Sequence, residues 1–262
     1  MTNDRLFSEL GNFRELAQSF GSVAAEYDRA RPSYPDELFD ELERLWGRSL
    51  KGARVLDVGA GTGIATRLLA ARGADVIAVE PYAGMAAQFR AASPQLPLVR
   101  GNGDDLPFHD DSADLIGYAQ AFHWTRPERS VPEAIRVLRP GGALAVWWNV
   151  PDETVPWVRA RVERLIAALP GRYHGYGRIT EHTRHFAPAG LAVGHARLHW
   201  ERQVTVEHVL TDLTSRSFMA SLTPEERAPI LAVEREALHA DFPDGVVVEP
   251  FILDLTVAVK PG

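Results

Sequence analysis

The chain has 262 residues, no cysteine and a formal net charge of −7. The absence of cysteine excludes disulfides, thiolate metal sites and cysteine nucleophiles. An acidic chain lacks the basic surface by which most proteins bind nucleic acid, so we expect no nucleic-acid partner. No apolar run approaches the length of a membrane span, and the N-terminal residues do not resemble a secretory signal. These features predict a cytoplasmic protein that binds no membrane and whose partner is a small molecule.

Two helices are predicted before the first strand, at residues 13–30 and 36–47, and the sequence "RPSYP" separates them. Pro35 suits the first position of the second helix, where its missing N–H costs no hydrogen bond. A proline disfavours the helical conformation in the residue before it, so Arg31 and Tyr34 are expected in extended geometry. Their side chains would then turn out of the helix face, and an ordinary corner between two helices is the alternative.

Short apolar runs alternate with helical patterns between residues 53 and 150. The runs are "ARVLDV", "ADVIAV", "LPLV", "ADLIGYAQAFHW" and "ALAVWWNV". Runs that are apolar on both faces are typical of parallel strands covered by helices. Because parallel connections are right-handed, the alternation predicts an α/β fold with a doubly wound sheet.

The last third of the chain has a less regular pattern. The sequence "VPWVRARVERLIAAL" predicts a helix, "LAVGHARLHWERQVT" a strand or hairpin that leads into a helix, and "VVVEPFILDLTVAV" a final strand. Thr223, followed three residues later by Glu226, predicts a capping box at the start of one more helix.

The sequence "VLDVGAGTG" places Gly59, Gly61 and Gly63 between a buried strand and a helix that begins near Ile64. Glycines here let a ligand approach the main chain, although a plain tight turn has the same composition. The spacing differs from a dinucleotide fingerprint, because Ile64 replaces the last glycine, and no Gly-Lys-Ser/Thr follows as in a P-loop. Glu80 ends the next strand, where an acid can bind both hydroxyls of a ribose. The pattern therefore predicts a nucleoside site with no demand for a pyrophosphate.

Four stretches resemble the class I S-adenosylmethionine-dependent methyltransferases, especially the small-molecule group that includes the ubiquinone-biosynthesis and trans-aconitate methyltransferases. They are "VLDVGAGTG", "AVEP", "GNGDDLPFHDDSADLI" and "EAIRVLRPGGALAV", in the family's order within residues 20–150. The resemblance implies S-adenosyl-L-methionine as the cofactor. It also implies a Rossmann-like sheet of seven strands, mostly parallel with an antiparallel C-terminal strand, with helices on both faces. The single domain would consist of a helical lid (1–50), a cofactor-binding core (51–150), a cap insertion over the active site (151–195) and strands and helices that complete the sheet (196–262).

The nucleoside end of the cofactor is assigned by this resemblance to Glu80, which would hold the ribose, and to Pro81 or Tyr82, which would flank the adenine. The family's usual "GDAEALPF" reads "GNGDDLPF" in this chain. Asn102 and Gly103 therefore take the adenine-contacting positions. The asparagine keeps an acceptor and adds a donor.

The methionine end is assigned in the same way to the glycine loop, with Asp57 fixing the loop and Gln120 beside it. A Tyr-Asp…Arg-Pro stretch is also shared, so Tyr27 is expected over the methionine end and Arg31 against a carboxylate of cofactor or substrate. The alternatives are that Asp57 caps a turn, that Asp104 is a solvated loop acid, and that Arg31 pairs with an acid at a helix corner. The predicted cofactor set is Tyr27, Arg31, Asp57, Gly59, Ala60, Gly61, Gly63, Glu80, Pro81, Asn102, Gly103, Asp104 and Gln120.

The residues after Gln120 are expected to face the methyl acceptor, since ligands bind at the carboxyl ends of parallel strands. His123 would act as a base or contact the acceptor, and Trp124 would form an aromatic wall. Alternatively, Phe122 and Trp124 are packing residues and His123 is a satisfied loop histidine. The predicted catalytic residues are His123 and Arg31. The segment is not the Asn/Asp-Pro-Pro-Tyr/Phe sequence of enzymes that methylate nucleobase or amide nitrogens, which argues against such acceptors.

The sequence "GRYHGYGRITEHTRHF" is rich in aromatic and basic side chains. His182 and His185 have a spacing that suits a metal on a helix, but no cysteine or clear carboxylate partner accompanies them. We therefore expect no metal site, and we favour a segment that covers the substrate.

Three functions are compatible with these motifs. The favoured one is methyl transfer to a small molecule, at the oxygen of a hydroxyl or a carboxylate. The second is a non-methylating reaction, such as a cyclisation, on the same fold. The third is a non-catalytic protein that binds the cofactor. The sequence is compatible with a monomer or a homodimer.

Overall fold

The computed structural model describes residues 31–173 and 183–262. Its α-helices are α1 (Asp36–Trp46), α2 (Ile64–Ala71), α3 (Ala83–Ala92), α4 (Pro127–Val137), α5 (Pro156–Ala168), α6 (Val206–Thr214), α7 (Ser217–Ala220) and α8 (Pro224–Asp241). Its strands are β1 (Arg54–Val58), β2 (Asp75–Val79), β3 (Leu98–Val99), β4 (Ala113–Ala119), β5 (Leu138–Pro151), β6 (Ala192–Thr205) and β7 (Val246–Val259).

The described residues divide into two compact units. The first, called the sheet unit here, contains residues 33–150, 183–199 and 252–262. The second, called the helical unit, contains residues 31–32, 151–173 and 200–251. The single domain expected from the sequence stays a prediction. The predicted cofactor-binding core (51–150) and the first segment of the sheet unit (33–150) both end at residue 150.

The seven strands have the order β3-β2-β1-β4-β5-β7-β6. Parallel pairs join β3 to β2, β2 to β1, β1 to β4 and β4 to β5. Strand β7 is antiparallel to β5, because the Gly141 N–H donates to the Lys260 carbonyl and the Lys260 N–H to the Gly142 carbonyl. The predicted α/β class, with a doubly wound, mostly parallel sheet and an antiparallel C-terminal strand, is confirmed.

Burial explains why the apolar runs form this sheet. In β1 every residue after Arg54 is buried, and the first six residues of β4 are buried too. When both faces of a strand are covered, its sequence does not alternate between apolar and polar residues. The core of the sheet unit includes Leu56, Tyr118 and Trp148. Because the strands are parallel, the turns that follow β1, β2 and β4 lie at one edge of the sheet.

Strand β4 is shorter than the apolar run that predicted it. The run extends to Trp124, but the strand ends at Ala119. Gln120 has a φ of 54°, which a strand does not accommodate, and Phe122–Trp124 form a turn of 3₁₀ helix. A positive φ at a glutamine has no signature in the sequence.

The helical unit is built from α5 to α8 and the adjoining ends of β6 and β7. Helix α8 begins with the predicted capping box: the Thr223 side chain accepts from the Glu226 N–H, and the Glu226 side chain accepts from the Thr223 N–H. This prediction is confirmed. Among the helices in the described part of the chain, none has both the length and the hydropathy that a membrane crossing requires.

Candidate functional site

The glycine loop is bound to the end of β2. The N–H groups of Gly59 and Ala60 both donate to the Val79 carbonyl, at 2.8 and 3.2 Å. A Cβ on Gly59 would come within 2.6 Å of Ala121, and a Cβ on Gly63 within 2.7 Å of the Phe89 ring. Packing therefore requires glycine at both of these positions.

Gly61 differs from its two neighbours in the loop. Its φ is 58°, and no described atom lies within 4 Å of the place that a Cβ would occupy. Internal packing therefore gives no reason for the bare main chain on that side. A loop that presents uncovered backbone is suited to close approach by a ligand.

Glu80 lies directly beside this open position. Its Oε2 accepts from the Gly61 N–H at 2.9 Å, and its Oε1 accepts from the Tyr82 N–H at 2.8 Å. The residue is 3% exposed. Burial raises the pKa of the Glu80 carboxyl above its ordinary value, although these two N–H groups act in the opposite direction. Each oxygen keeps a second lone pair, so the carboxylate can also accept from the two hydroxyls of a ribose.

Pro81 contributes to the same turn through its backbone. Its carbonyl accepts a hydrogen bond from the Arg100 guanidinium. The bond joins the turn after β2 to the residue that follows β3, shortly before the residues predicted to contact adenine. Contacts of Pro81 and Tyr82 with adenine stay predictions.

Asp57 is fully buried at the end of β1. The Thr66 hydroxyl, on α2, donates to its Oδ2, and its Oδ1 has no hydrogen-bond partner among the described residues. Burial raises the pKa of the Asp57 carboxyl to about 6, against the effect of the Thr66 hydrogen bond, and the charge of Glu80 adds to the rise. Asp57 thus ties β1 to the helix that follows the glycine loop.

The segment after β3 is held by its own side chains. Asn102 Oδ1 accepts from the Asp104 N–H at 2.9 Å. Asp104 in turn accepts from the Arg126 N–H at 2.9 Å and from Arg126 Nε at 2.7 Å. Asp104 therefore fixes the residue before α4, and it is neither a plain solvated acid nor free of partners. A Cβ on Gly103 would meet the Tyr118 hydroxyl at 2.5 Å, so packing explains this glycine.

Gln120 stands at the end of β4 with a left-handed backbone, φ 54°. Its N–H donates to the Trp147 carbonyl on β5 at 2.8 Å, which holds the residue in this conformation. Positive φ at a residue other than glycine is uncommon, and strained positions of this kind cluster at functional sites. The observation favours a functional position for Gln120, while its contact with the cofactor stays a prediction.

His123 makes a contact that sequence reasoning missed. Trp148 Nε1, on β5, lies 3.2 Å from His123 Nδ1, and Trp148 is 1% exposed. Since the indole N–H can only donate, His123 Nδ1 must accept, and the neutral ring then carries its proton on Nε2. The imidazole also packs on Trp124, with ring centroids 4.7 Å apart. This arrangement makes neutral His123 a hydrogen-bond donor at Nε2.

Ser33 and Tyr34, in the "RPSYP" break, contact the end of β5. The Tyr34 ring meets Trp147 edge-on at 6.0 Å, and the Ser33 carbonyl accepts from Asn149 Nδ2 at 3.0 Å. Asn149 is 2% exposed, so it anchors this segment from inside the sheet unit. These contacts give the break a fixed position beside the last residues of β5.

Arg31 lies in the helical unit. It donates through Nη2 to the Ser215 carbonyl at 3.0 Å, and its Nε is 3.8 Å from Asp212 Oδ1. The observed partner is thus an acid of this chain, as in the alternative given above. Contact of Arg31 with a carboxylate of the cofactor or substrate stays a prediction. Tyr27 and His182 lie outside the described residues.

The chain is similar to known proteins that are described as methyltransferases. A family model described as "Methyltransferase domain" matches residues 56–146. An uncharacterised methyltransferase of Mycobacterium tuberculosis is 47% identical over 146 residues, which cover 56% of this chain and 58% of the relative. The match therefore spans little more than half the length of that relative.

Two further similarities extend over most of the chain. A methyltransferase-like protein of Schizosaccharomyces pombe is 31% identical over 245 residues, covering 86% of this chain and 84% of the relative. A solved structure from Anaeromyxobacter dehalogenans, described as a candidate type II methyltransferase, has a TM-score of 0.65 and 26% identity, covering 88% of this chain and 97% of that one.

Proposed function

This chain belongs to the class I S-adenosylmethionine-dependent methyltransferase family, and we propose that it transfers a methyl group from S-adenosyl-L-methionine to an oxygen of a small-molecule acceptor. The observation that carries the proposal is the pairing of the Glu80 carboxylate with the Gly61 N–H at 2.9 Å. It supports the proposal because the acid expected to bind the ribose lies next to the one loop glycine whose open side packing does not explain.

The residues at this edge of the sheet fit the proposed cofactor. Glu80 can accept from two ribose hydroxyls, and a Cβ at Gly61 would fill space beside the main chain. The buried Asp57 Oδ1, without a hydrogen-bond partner in the described structure, can accept from a further donor. When bound, the cofactor supplies an activated methyl group, so the protein's task is to position the acceptor and exclude water.

The tautomer of His123 favours an acceptor that is already ionised. A neutral imidazole that accepts at Nδ1 from Trp148 carries its proton on Nε2, and there it donates a hydrogen bond. Such a group can orient an oxygen, but it takes up a proton at Nε2 only after losing its own. A carboxylate needs no base to become a nucleophile, whereas a hydroxyl does. We therefore place a carboxylate ahead of a hydroxyl as the acceptor.

The acidic net charge of −7 supports a small cytoplasmic metabolite over a nucleic acid as the acceptor. The same charge does not distinguish one organic acid from another. The acceptor is accordingly defined by its chemical class, an organic carboxylate or, second, a hydroxyl compound.

Two experiments test the proposal. Calorimetry with S-adenosyl-L-methionine and S-adenosylhomocysteine should show binding to the wild type, a loss of at least tenfold in Glu80→Ala, and no change in the matched variant Glu37→Ala, an exposed acid of α1. Incubation with methyl-labelled cofactor and a panel of organic carboxylates and phenols should then yield a labelled ester or ether. Binding without label transfer to any acceptor would favour the non-methylating or non-catalytic alternative, and no binding at all would remove the cofactor premise.

A further inference from the structure

The helical unit has a pocket of its own, with a volume of about 40 Å³. A cavity needs roughly 10–15 Å³ of this volume to hold one water. The pocket therefore has room for about three waters, or for one carboxylate head group. Two arginines, two acids and two of the aromatic residues that line it matter for what it can bind: Arg161, Arg216, Asp212, Glu249, Tyr173 and Phe218. The glycine loop and Glu80 belong to the sheet unit and line no part of it.

Arg161 is held loosely by the acids near it. Its Nη1 is 3.4 Å from Glu249 Oε1, and its Nε is 3.6 Å from Glu234 Oε2. The second distance is beyond hydrogen-bond range, and Nε is buried without a hydrogen-bond partner in the described part of the chain. A buried guanidinium N–H without a partner is costly, so Arg161 is suited to an additional acceptor.

The same two acids are bound more closely by other arginines. Glu234 accepts from Arg164 Nε at 2.8 Å and from its Nη2 at 3.2 Å. Glu249 accepts from Arg202 Nε at 2.8 Å, and Arg202 Nη2 is 2.7 Å from the same oxygen. Both carboxylates therefore have short charge-assisted partners already, which explains why the contacts of Arg161 are long.

The rest of the pocket decides what kind of anion it suits. Asp212 and Glu249 line it and are nearly fully buried, so a doubly charged phosphate would meet two negative charges in a low-dielectric site. A single carboxylate carries half that charge and matches the planar guanidinium fork. Tyr173 and Phe218 also line the pocket, and their ring centroids are 4.5 Å apart. They offer aromatic surface to an apolar group attached to the carboxylate.

From these contacts we propose that the pocket of the helical unit binds the carboxylate of a small organic acid with an aromatic or aliphatic body, and that Arg161 recognises that carboxylate. The inference goes beyond the proposed methyl transfer, since it depends only on contacts within the helical unit. It assigns a ligand class to Arg161, a residue without a role in the cofactor site.

Calorimetry on the full chain without added cofactor tests this site. Phenylacetate serves as the probe, phenylacetamide as its neutral isostere and inorganic phosphate as the competing anion. We expect phenylacetate to bind at least tenfold more tightly than either. Arg161→Gln should weaken phenylacetate binding at least tenfold, whereas Arg235→Gln, which removes an exposed pair with Glu207, should leave it unchanged.

Arg161→Lys is a second variant that is expected to fold, because it keeps the positive charge and removes only the planar guanidinium. It should fold with the wild-type circular dichroism spectrum and bind phenylacetate more weakly than the wild type, by at least threefold. Equal affinities for the acid and the amide, tighter binding of phosphate, or unaltered binding in the folded Arg161 variants would each overturn the proposal. Since no cofactor is present, such a failure would leave the proposed methyl transfer untouched, and a failure of S-adenosylmethionine to bind would leave this site untouched.

Discussion

The backbone N–H of Gly61 donates to Oε2 of Glu80 at 2.9 Å, across 19 residues of sequence. The bond joins the turn after β1 to the residue that follows β2. Glu80 is buried, so the hydrogen bond is shielded from water and sets the position of the carboxylate relative to the loop. The acid predicted to bind the nucleoside and the open glycine are thus positioned by each other.

Comparing Gly61→Ala with Gly52→Ala should separate an effect on the free energy of unfolding from an effect on cofactor affinity. Both Gly61 and Gly52 have positive φ, 58° and 74°, and neither has a described atom within 4 Å of a Cβ. Alanine at either position should lower the free energy of unfolding by about 1 kcal/mol, the cost of a left-handed conformation. Only Gly61→Ala should also weaken S-adenosylmethionine binding, by at least tenfold, because its methyl group occupies the ligand side of the loop. Chemical denaturation and calorimetry on both variants measure the two effects, and equal affinities in both would contradict a ligand at Gly61.

Asp57→Asn should change how stability depends on pH. The pKa of Asp57 is raised from 3.8 to about 6 in the folded protein, so the folded state holds the proton more tightly than the unfolded state. This contribution to stability is complete below pH 4 and is lost as the pH rises through 6. The wild-type free energy of unfolding, minus that of Asp57→Asn, should therefore fall by about 2.5 kcal/mol between pH 4 and pH 8.

Urea denaturation at several pH values measures this difference. Asp75→Asn, an exposed carboxylate at the start of β2, is the matched control and should show no change of that size. If the difference for Asp57 were constant from pH 4 to pH 8, Asp57 would have to be ionised throughout, and the effect assigned to its burial would be wrong.

Trp148→Phe should change the tautomer of His123. The wild-type indole donates to His123 Nδ1 at 3.2 Å, so the neutral ring has its proton on Nε2. Nitrogen-15 NMR of the histidine ring at pH 8 should show a protonated Nε2 and an unprotonated Nδ1. In Trp148→Phe the two tautomers should become more equally populated, whereas Trp124→Phe, which keeps the Trp148 indole, should leave them unchanged. A protonated Nδ1 in the wild type would contradict the role of donor given to His123.

Arg31→Ala should destabilise the helical unit. The substitution takes a donor from the Ser215 carbonyl and a positive charge from beside the buried Asp212. Burial alone would raise the pKa of Asp212, but the charges of Arg216, Arg31 and Arg202 outweigh it and hold that pKa below its usual value.

We expect a loss of about 1–3 kcal/mol in the free energy of unfolding of Arg31→Ala, the usual cost of an unsatisfied buried group. Arg44→Ala, which breaks an exposed pair with Glu41 that water screens, should cost much less. An equal and small cost for both variants would show that the Asp212 contact is not stabilising. A tenfold loss of cofactor affinity in Arg31→Ala, beyond its effect on stability, would support the predicted contact with a carboxylate.

The features predicted from the sequence are those that local patterns determine. The glycine loop and the capping box at Thr223 occupy only a few consecutive residues, and apolar runs reveal buried parallel strands. The partners of His123 and Arg31 depend on long-range packing: Trp148 is 25 residues from His123, and Ser215 is 184 residues from Arg31. The left-handed backbone of Gln120 was also missed, since glutamine gives no sign of it. Such contacts follow from the assembled sheet and helices, which no short stretch of sequence encodes.

The C-terminal strand has a consequence for synthesis of the protein on the ribosome. The backbone of Lys260 pairs with Gly141 and Gly142, and its ammonium group donates to the carbonyls of Ile135 and Leu138. The glycine loop and the first five strands are translated more than a hundred residues before this partner. In the nascent chain, one side of β5 therefore remains an unpaired strand edge, the kind of surface that promotes aggregation and attracts chaperones.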